Sequence, residues 1–391
     1  YMKSALIVQF RRMPYNRKQE IKETALKRIA FHHRASQRAY EKLRELQLEL
    51  PRLCTDYFRA IAQTTSALTR QAYAYDLRLF FRYLHLEETD FCGTDPRLMD
   101  AGHMATITAR HIEGFQEYLQ FYYRQDEDGE GQGAVQNKEL GIMRKLSAIR
   151  SFFDYLFKNE IVPANVATLV AMPKRHSKPI LYMEADEVQR MMDAVIKGEG
   201  FSPNQQAYLR NTQKRDLAIL MMFLGTGIRV SELVGLDLDH LDLGNKSFLV
   251  TRKGGNQTIL YFPDPVAQCL ESYLTERSLV EPLPGHEYAL FLSLQRRRIS
   301  SRAVENLVKK YALLGAPLKK RLSPHKLRST FGTNLYQQTG DIYLVADTLG
   351  HADVNTTRKH YAAMSDAKRR EAARRVELPS LSTSDDPETS P

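Results

Sequence analysis

The sequence predicts a mainly α protein with a small β-sheet, divided into two domains. Three observations carry that prediction. Apolar residues recur at helical spacing through most of the chain, as in "TRQAYAYDLRLFFRYLHLEE", where Tyr73, Leu77, Phe80, Phe81 and Leu84 share one helix face. The segment "KSFLVTRKGGNQTILYF" reads instead as two short strands around a Gly254-Gly255 turn. Between residues 172 and 181, "MPKRHSKPIL" sets two prolines around a basic stretch without periodicity, the composition of a linker. At 391 residues the chain is also longer than one core comfortably serves.

Taken in order, the elements divide the chain at residues 1–40, a helical extension; 41–173, a helical domain; 174–181, the linker; 182–378, a second domain; and 379–391, a tail too poor in apolar residues to fold. Lys18 to Leu50 is rich in helix formers up to the break at Pro51. "TARHIEGFQEYLQFYYRQ" predicts a helix capped at Thr108, and "VQNKELGIMRKLSAIRSFFDYLFKNEI" a long amphipathic one. The acidic, glycine-rich "DEDGEGQGA" between them is a surface loop. Past the linker, "EADEVQRMMDAVI" and "QKRDLAILMMFLGTG" read as helices, the hairpin follows, and helices resume to about Leu378. No period of 20 to 50 residues repeats, which excludes a solenoid.

Hydrophobic residues make up 43 % and charged residues 26 %, the balance of a globular protein. Fifty-six Lys and Arg against 46 Asp and Glu give a net charge of +10, which points to a polyanionic partner such as nucleic acid. Cys54, Cys92 and Cys269 stand far apart with no CxxC pair, so the sequence predicts neither a disulfide framework nor a cysteine-rich zinc site, but reduced, mostly buried thiols in a cytoplasmic protein. No apolar run approaches the roughly 20 residues of a membrane span. The start "YMKSALIVQFRRMPYN" lacks the length and cleavage site of a secretion signal.

Four segments of the second half carry chemistry. In "GTGIRVSELVGL", glycines break a hydrophobic helix and Arg229 opens another, with Glu232 three residues on and able to hold its guanidinium. Lys253 sits at the tip of the hairpin in "TRKGG", where glycines let backbone approach a phosphate. In "LSPHKLRSTFGTNL", Ser323 can cap a helix whose first turn takes Pro324, setting His325 and Arg328 on one face, a proton-transfer group beside a fixed positive charge. "DTLGHADVNTTRKHYAAM" ends a helix at Gly350, presents His351, and carries Tyr361 on a further helix past a cap at Thr356. Each segment alone has an ordinary structural reading: a helix-start ion pair, a solvated turn lysine, a capping histidine, a packing tyrosine.

Together, Arg229, Lys253, His325, Arg328, His351 and Tyr361 stand in the order Arg, Lys, His-x-x-Arg, His, Tyr, and this set resembles the tyrosine recombinase family. The wording of "GTGIRVSEL", "TRKGG", "SPHKLRSTFGTNL" and "LGHADVNTT" is similar to the boxes of bacterial Xer-type recombinases, most of all the stand-alone, XerS-like ones. The likeness is strong over Tyr182 to Val376 and weaker over Glu41 to Pro173, which would correspond to a core-binding, SAM-like helical domain ahead of the catalytic domain. One departure is spacing: Tyr361 follows His351 by ten residues, where many Xer-type relatives have nine.

The resemblance implies that Tyr361 attacks the scissile phosphate to give a 3′-phosphotyrosine and a free 5′-hydroxyl, with no metal and no nucleotide cofactor. Arg229 and Arg328 would clamp the non-bridging oxygens, Lys253 would protonate the departing oxygen, His325 would take or return the tyrosine proton, His351 would bond the phosphate, and Glu232 would orient Arg229. It further implies double-stranded DNA held by both domains, with "QRRRISSR" and "LKKRLSPHK" on phosphates, a homo-tetramer, two strand exchanges through a Holliday junction, and a helix in "SDAKRREAARRVEL" lent to a neighbour or packed at home. The expected role is chromosome dimer resolution at a dif-like site in the nucleoid. The rival role is integration or excision of a mobile element, and a non-catalytic DNA-binding protein is a more distant alternative.

Overall fold

The computed structural model describes residues 31–124, 133–174, 181–252, 255–319, 322–350 and 354. The chain forms two compact units, residues 1–177 and 178–391, dividing within the proline-bracketed stretch. No described helix is long and apolar enough to cross a membrane.

The first unit is helical. It runs α1 (Phe31–Gln47), α2 (Arg52–Ala60), α3 (Ala67–Glu87), α4 (Ala101–Thr106) and α5 (Ala109–Tyr118), then a hairpin of β1 (Tyr122–Arg124) and β2 (Gly133–Val135), and closes with α6 (Glu139–Lys158). Ser66 starts α3 by accepting a hydrogen bond from the Thr69 amide at 3.1 Å. The helix face read from sequence is the buried one: Leu77, Phe80, Phe81 and Leu84 are fully enclosed, and Tyr73 packs at the edge. Phe80 meets Phe115 of α5 and Phe81 meets Phe152 of α6 in edge-on contacts at 5.2 and 6.0 Å. Each such ring contributes roughly 1.5–3 kcal/mol by leaving water, so this aromatic seam fixes the bundle.

Two sequence expectations fail here. The helix from Thr108 ends at Tyr118 instead of running to Gln125, and the long helix begins at Glu139 instead of Val135. Phe121, Tyr122 and Tyr123 suit the helical period, but aromatic residues also suit strands, and tertiary contacts decide between the two. Tyr122 is drawn into the core. The Asn137 side-chain amide donates to the Leu119 carbonyl at 2.8 Å, closing the end of α5. Of the acidic loop, residues 126–132 lie outside the described residues.

The second unit runs α7 (Ala185–Lys197), α8 (Pro203–Arg210), α9 (Gln213–Thr226) and α10 (Val230–Gly235), then β3 (Leu241–Asp242), β4 (Ser247–Thr251) and β5 (Gln257–Tyr261), and then α11 (Asp264–Arg277), α12 (Ser301–Gly315), α13 (Pro324–Thr339) and α14 (Ile342–Leu349). The expected hairpin forms with Leu249 opposite Ile259, and β3 adds a third antiparallel strand that the sequence did not suggest. The central α9 packs against α7, α11 and α13. Its Asp216, 2 % exposed, accepts from Arg215 at 2.8 Å and from the Tyr311 hydroxyl of α12 at 2.8 Å, so a buried carboxylate joins two helices with its oxygens satisfied. Burial and the neighbouring carboxylate push the Tyr311 hydroxyl well above its usual pKa, so it remains a donor.

The thiols depart from expectation: Cys54 is buried, but Cys269 is half-buried and Cys92 exposed; all three are free. Helices resume after the hairpin as predicted as far as Leu349; the continuation to Leu378, the cap at Thr356, the tail and the N-terminal residues 1–30 lie outside the described residues.

Candidate active site

Helix α9 ends at Gly227, which has φ of +62°. A Cβ there would fall 2.5 Å from a Phe331 ring carbon and 2.8 Å from Leu349 Cδ2, so the glycine is needed for its conformation and for the close approach of α13 and α14. The chain then turns into α10, with Arg229 at the N-cap position. Glu232 closes the turn twice: one carboxylate oxygen accepts from the Arg229 amide at 3.0 Å, the other from Arg229 Nη1 at 2.8 Å. Glu232 is 5 % exposed, and its partner is a partly exposed guanidinium. The pair predicted from three-residue spacing is thus a backbone cap, with Glu232 accepting from the Arg229 amide, and an orienting ion pair in one.

Helix α13 starts after Ser323 with Pro324 in its first turn, although the Ser323 side chain makes no capping hydrogen bond, contrary to the expectation from sequence. His325 and Arg328 leave this helix into different surroundings. His325 is exposed, while Arg328 is 5 % exposed and donates to the carbonyls of Gly227 and Leu349. Two residues on, Thr330 accepts from the Met183 amide at 2.9 Å, holding the entry to the unit against α13.

The short helix α14 ends at Gly350, which has φ of +58°. The last carbonyls of a helix have no partner within it. Here three successive ones each accept from a different arginine: Thr348 from Arg252 Nη2 at 3.4 Å, Leu349 from Arg328, and Gly350 from Arg229 Nη2 at 2.9 Å. Val345 and Leu349 pack with Phe331 and Leu335 and dock this helix on α13. Three guanidinia from three elements therefore meet at the negative end of a helix dipole, with the Glu232 carboxylate paired to Arg229 among them. Arginine carries five N–H donors, and Arg229 has two engaged in these contacts, so donors remain for an anion.

Lys253, His351 and Tyr361 lie outside the described residues; each adjoins or follows a described anchor in the chain, Arg252 for the lysine and Gly350 for the other two. The basic runs divide. Arg296 and Arg297 are exposed, but Arg298 donates to the carbonyls of Val234 and Leu236 and pairs with Asp237, and Lys319 is held by Glu187 and the Tyr182 carbonyl. Those two charges serve the fold, which corrects the expectation that the runs as a whole lie on phosphates. Asp237, Asp239 and His240 are the group among the described residues close enough to share a cation, but they form a surface turn in which His240 accepts from the Asp237 amide at 3.2 Å.

Residues 182–368 match the phage integrase family. The tyrosine recombinase XerC of Caldanaerobacter subterraneus subsp. tengcongensis is 30 % identical over 338 residues, covering 83 % of this chain and 85 % of the relative. The chain belongs to the phage integrase family of tyrosine recombinases. This recombinase is also 34 % identical over 219 residues to XerC of Thermodesulfovibrio yellowstonii, covering 55 % of the chain and 69 % of that protein. Its fold is shared with the XerH site-specific recombinase bound to a palindromic difH substrate, at a TM-score of 0.56 and 18 % identity over 80 % of this chain and 81 % of that one. The Tn1549 transposon integrase aligns at a TM-score of 0.57 and 17 % identity, covering 82 % and 98 %. Members of the family cleave and rejoin DNA, and the recombinase is an enzyme of that class.

Two residues of the recombinase's site escaped the reading of its sequence. The sequence draws attention to the lysine beside Arg252 instead, and Gly350 reads as a helix end with no hint of the arginine that lies across it. The one signal for either was the Arg-Lys pair before two glycines, which does not distinguish a buried arginine from an exposed one.

Proposed function

We propose that the recombinase cuts and rejoins duplex DNA at a specific site through a 3′-phosphotyrosine on Tyr361. The observation that carries this reading is the convergence of Arg229 and Arg328, from separate helices, on adjacent carbonyls at the end of α14, directly ahead of His351 in the chain. Two fixed guanidinia side by side suit the two non-bridging oxygens of a phosphodiester, where charge grows in the transition state. Such a clamp supplies electrostatic stabilisation from protein donors, and the covalent phosphotyrosine conserves the bond for rejoining.

In this reading the Tyr361 oxygen attacks phosphorus, the P–O5′ bond breaks, and Lys253 gives its proton to the leaving 5′-oxygen. His325, exposed on the first turn of α13, exchanges the tyrosine proton, and His351 bonds a phosphate oxygen. Glu232 acts through Arg229 by fixing its plane. The partner is double-stranded DNA, bound as a homo-tetramer that exchanges two strand pairs through a Holliday junction. Support for DNA comes from the net charge of +10 and from relatives whose solved structures hold DNA. Chromosome dimer resolution at a dif-like site, in the cytoplasm on the nucleoid, is the biological role we propose, in keeping with the similarity to proteins named XerC.

The test is a suicide duplex carrying a nick, incubated with the protein in EDTA. A covalent protein–DNA adduct that vanishes in Tyr361→Phe is expected, and sequencing the trapped DNA identifies the site. An adduct that persists in Tyr361→Phe overturns the assignment.

A further inference from the structure

We propose that Arg252 is a positioning residue for strand cleavage, tying the β4–β5 hairpin that carries Lys253 to the turn that leads into His351. The inference rests on the site reading above and deepens it. Arg252 directly follows β4: its amide donates to the Asn256 carbonyl at 2.7 Å, and its own carbonyl accepts from Gly255 at 3.1 Å, so its backbone is fixed at the base of the hairpin tip. Its side chain leaves the hairpin and lies against α14. A Cβ built on Gly350 would sit 1.1 Å from Arg252 Nη1 and 2.1 Å from Cζ, so the guanidinium occupies the space that any other residue at 350 would fill. Nη2 reaches the Thr348 carbonyl, and Nε is buried with no partner among the described residues. Among the described residues this guanidinium nitrogen has no acceptor, an arrangement that does not serve stability.

The geometry gives the arrangement a purpose. Lys253 follows Arg252 by one peptide, and His351 follows Gly350 by one. With Arg252 in contact with Gly350, the starting points of both segments are held together, on the same helix end that Arg229 and Arg328 grip. A general acid works only within hydrogen-bond reach of the atom it protonates. Arg252 therefore governs whether the lysine meets the leaving oxygen, without itself touching DNA.

Cleavage of a 5′-bridging phosphorothiolate duplex separates this role from a general loosening of the site. A sulfur leaving group departs as a thiolate, whose conjugate acid has a pKa of about 8.5, and so needs no proton from the enzyme. Single-turnover adduct formation is compared for the full-length wild type, Arg252→Ala, Arg252→Lys and Lys253→Ala on oxygen and sulfur substrates, with a thermal melt of each. On the oxygen substrate Arg252→Ala is expected to be slower by on the order of tenfold or more, part of the roughly 10²–10⁴-fold that general acid catalysis contributes. On the sulfur substrate it returns to within about threefold of wild type, as does Lys253→Ala. Arg252→Lys, which keeps the charge and stem and guards against a misfolded alanine variant, shows a smaller loss with the same rescue. Equal slowing on both substrates, or no slowing, overturns the proposal. A wild type that forms no adduct on either substrate overturns the site reading itself and is thereby distinguishable.

Discussion

At the scale of single residues, the site is built from arginines that hold the backbone carbonyls at the end of α14. Arg328 shows what this implies for mutation. Its alanine variant loses the charge proposed to face the phosphate and strands the carbonyls of Gly227 and Leu349, each worth about 1–3 kcal/mol if left buried without a donor. Arg328→Ala is expected to lower cleavage by on the order of 10²–10³-fold and to lower the melting temperature, while duplex affinity by gel shift stays within a few fold, since many phosphate contacts share the binding. Glu232→Gln separates orientation from charge: a neutral amide can still accept from the Arg229 amide but holds the guanidinium less firmly. A cleavage rate reduced by about tenfold with little change in DNA affinity is the expected result, from a lost charge-assisted bond of about 1.5–3 kcal/mol that is partly screened by Arg229's exposure. Burial is what the sequence hid at this scale. The spacing of His325 and Arg328 was legible, and so was the Arg229–Glu232 pair, but the contrast between an exposed histidine and an enclosed arginine arises from α14 docking over α13, which no local pattern encodes.

Elements were legible where one physical preference dominated. The apolar stripe of α3 has a single reading, and Gly227 of "GTG" marks the α9–α10 break with its φ of +62°, whereas Gly225, also expected to break the helix, stays within α9, where a Cβ would strike Val266. The β1–β2 hairpin was missed because its aromatic residues satisfy both helix and strand patterns until Tyr122 finds the core. Close packing between elements gives a further prediction at Gly315, the last residue of α12. A Cβ there would lie 2.6 Å from the Glu187 carbonyl oxygen and 2.7 Å from Met191 Cβ of α7, so neither backbone nor stem can yield cheaply. Gly315→Ala is expected to cost about 1–3 kcal/mol, seen as a lower denaturation midpoint in urea with an unchanged slope.

For the whole molecule, the first unit has an apolar cluster that runs from Leu43 to Val170 and, among the described residues, includes none beyond residue 177. Residues 1–177 and 178–391 expressed separately are each expected to melt cooperatively, and a fragment that unfolds without a transition would show that its core needs the other. The two-domain plan was legible from one proline-bracketed stretch, whereas the grip on Gly350 was not, because it joins residues far apart in the chain. Arg229 and Gly350 are separated by 121 positions, Gly227 and Arg328 by 101, and Arg252 and Thr348 by 96. Synthesis runs from the N-terminus at about 5–20 residues per second, so Arg229 leaves the ribosome roughly 6–24 s before the carbonyl it will hold. For most of that interval the nascent chain carries Arg229 and Arg252 but neither Arg328 nor the carbonyls that anchor them. Competence to grip a phosphate between two arginines is therefore among the last properties the growing polypeptide acquires.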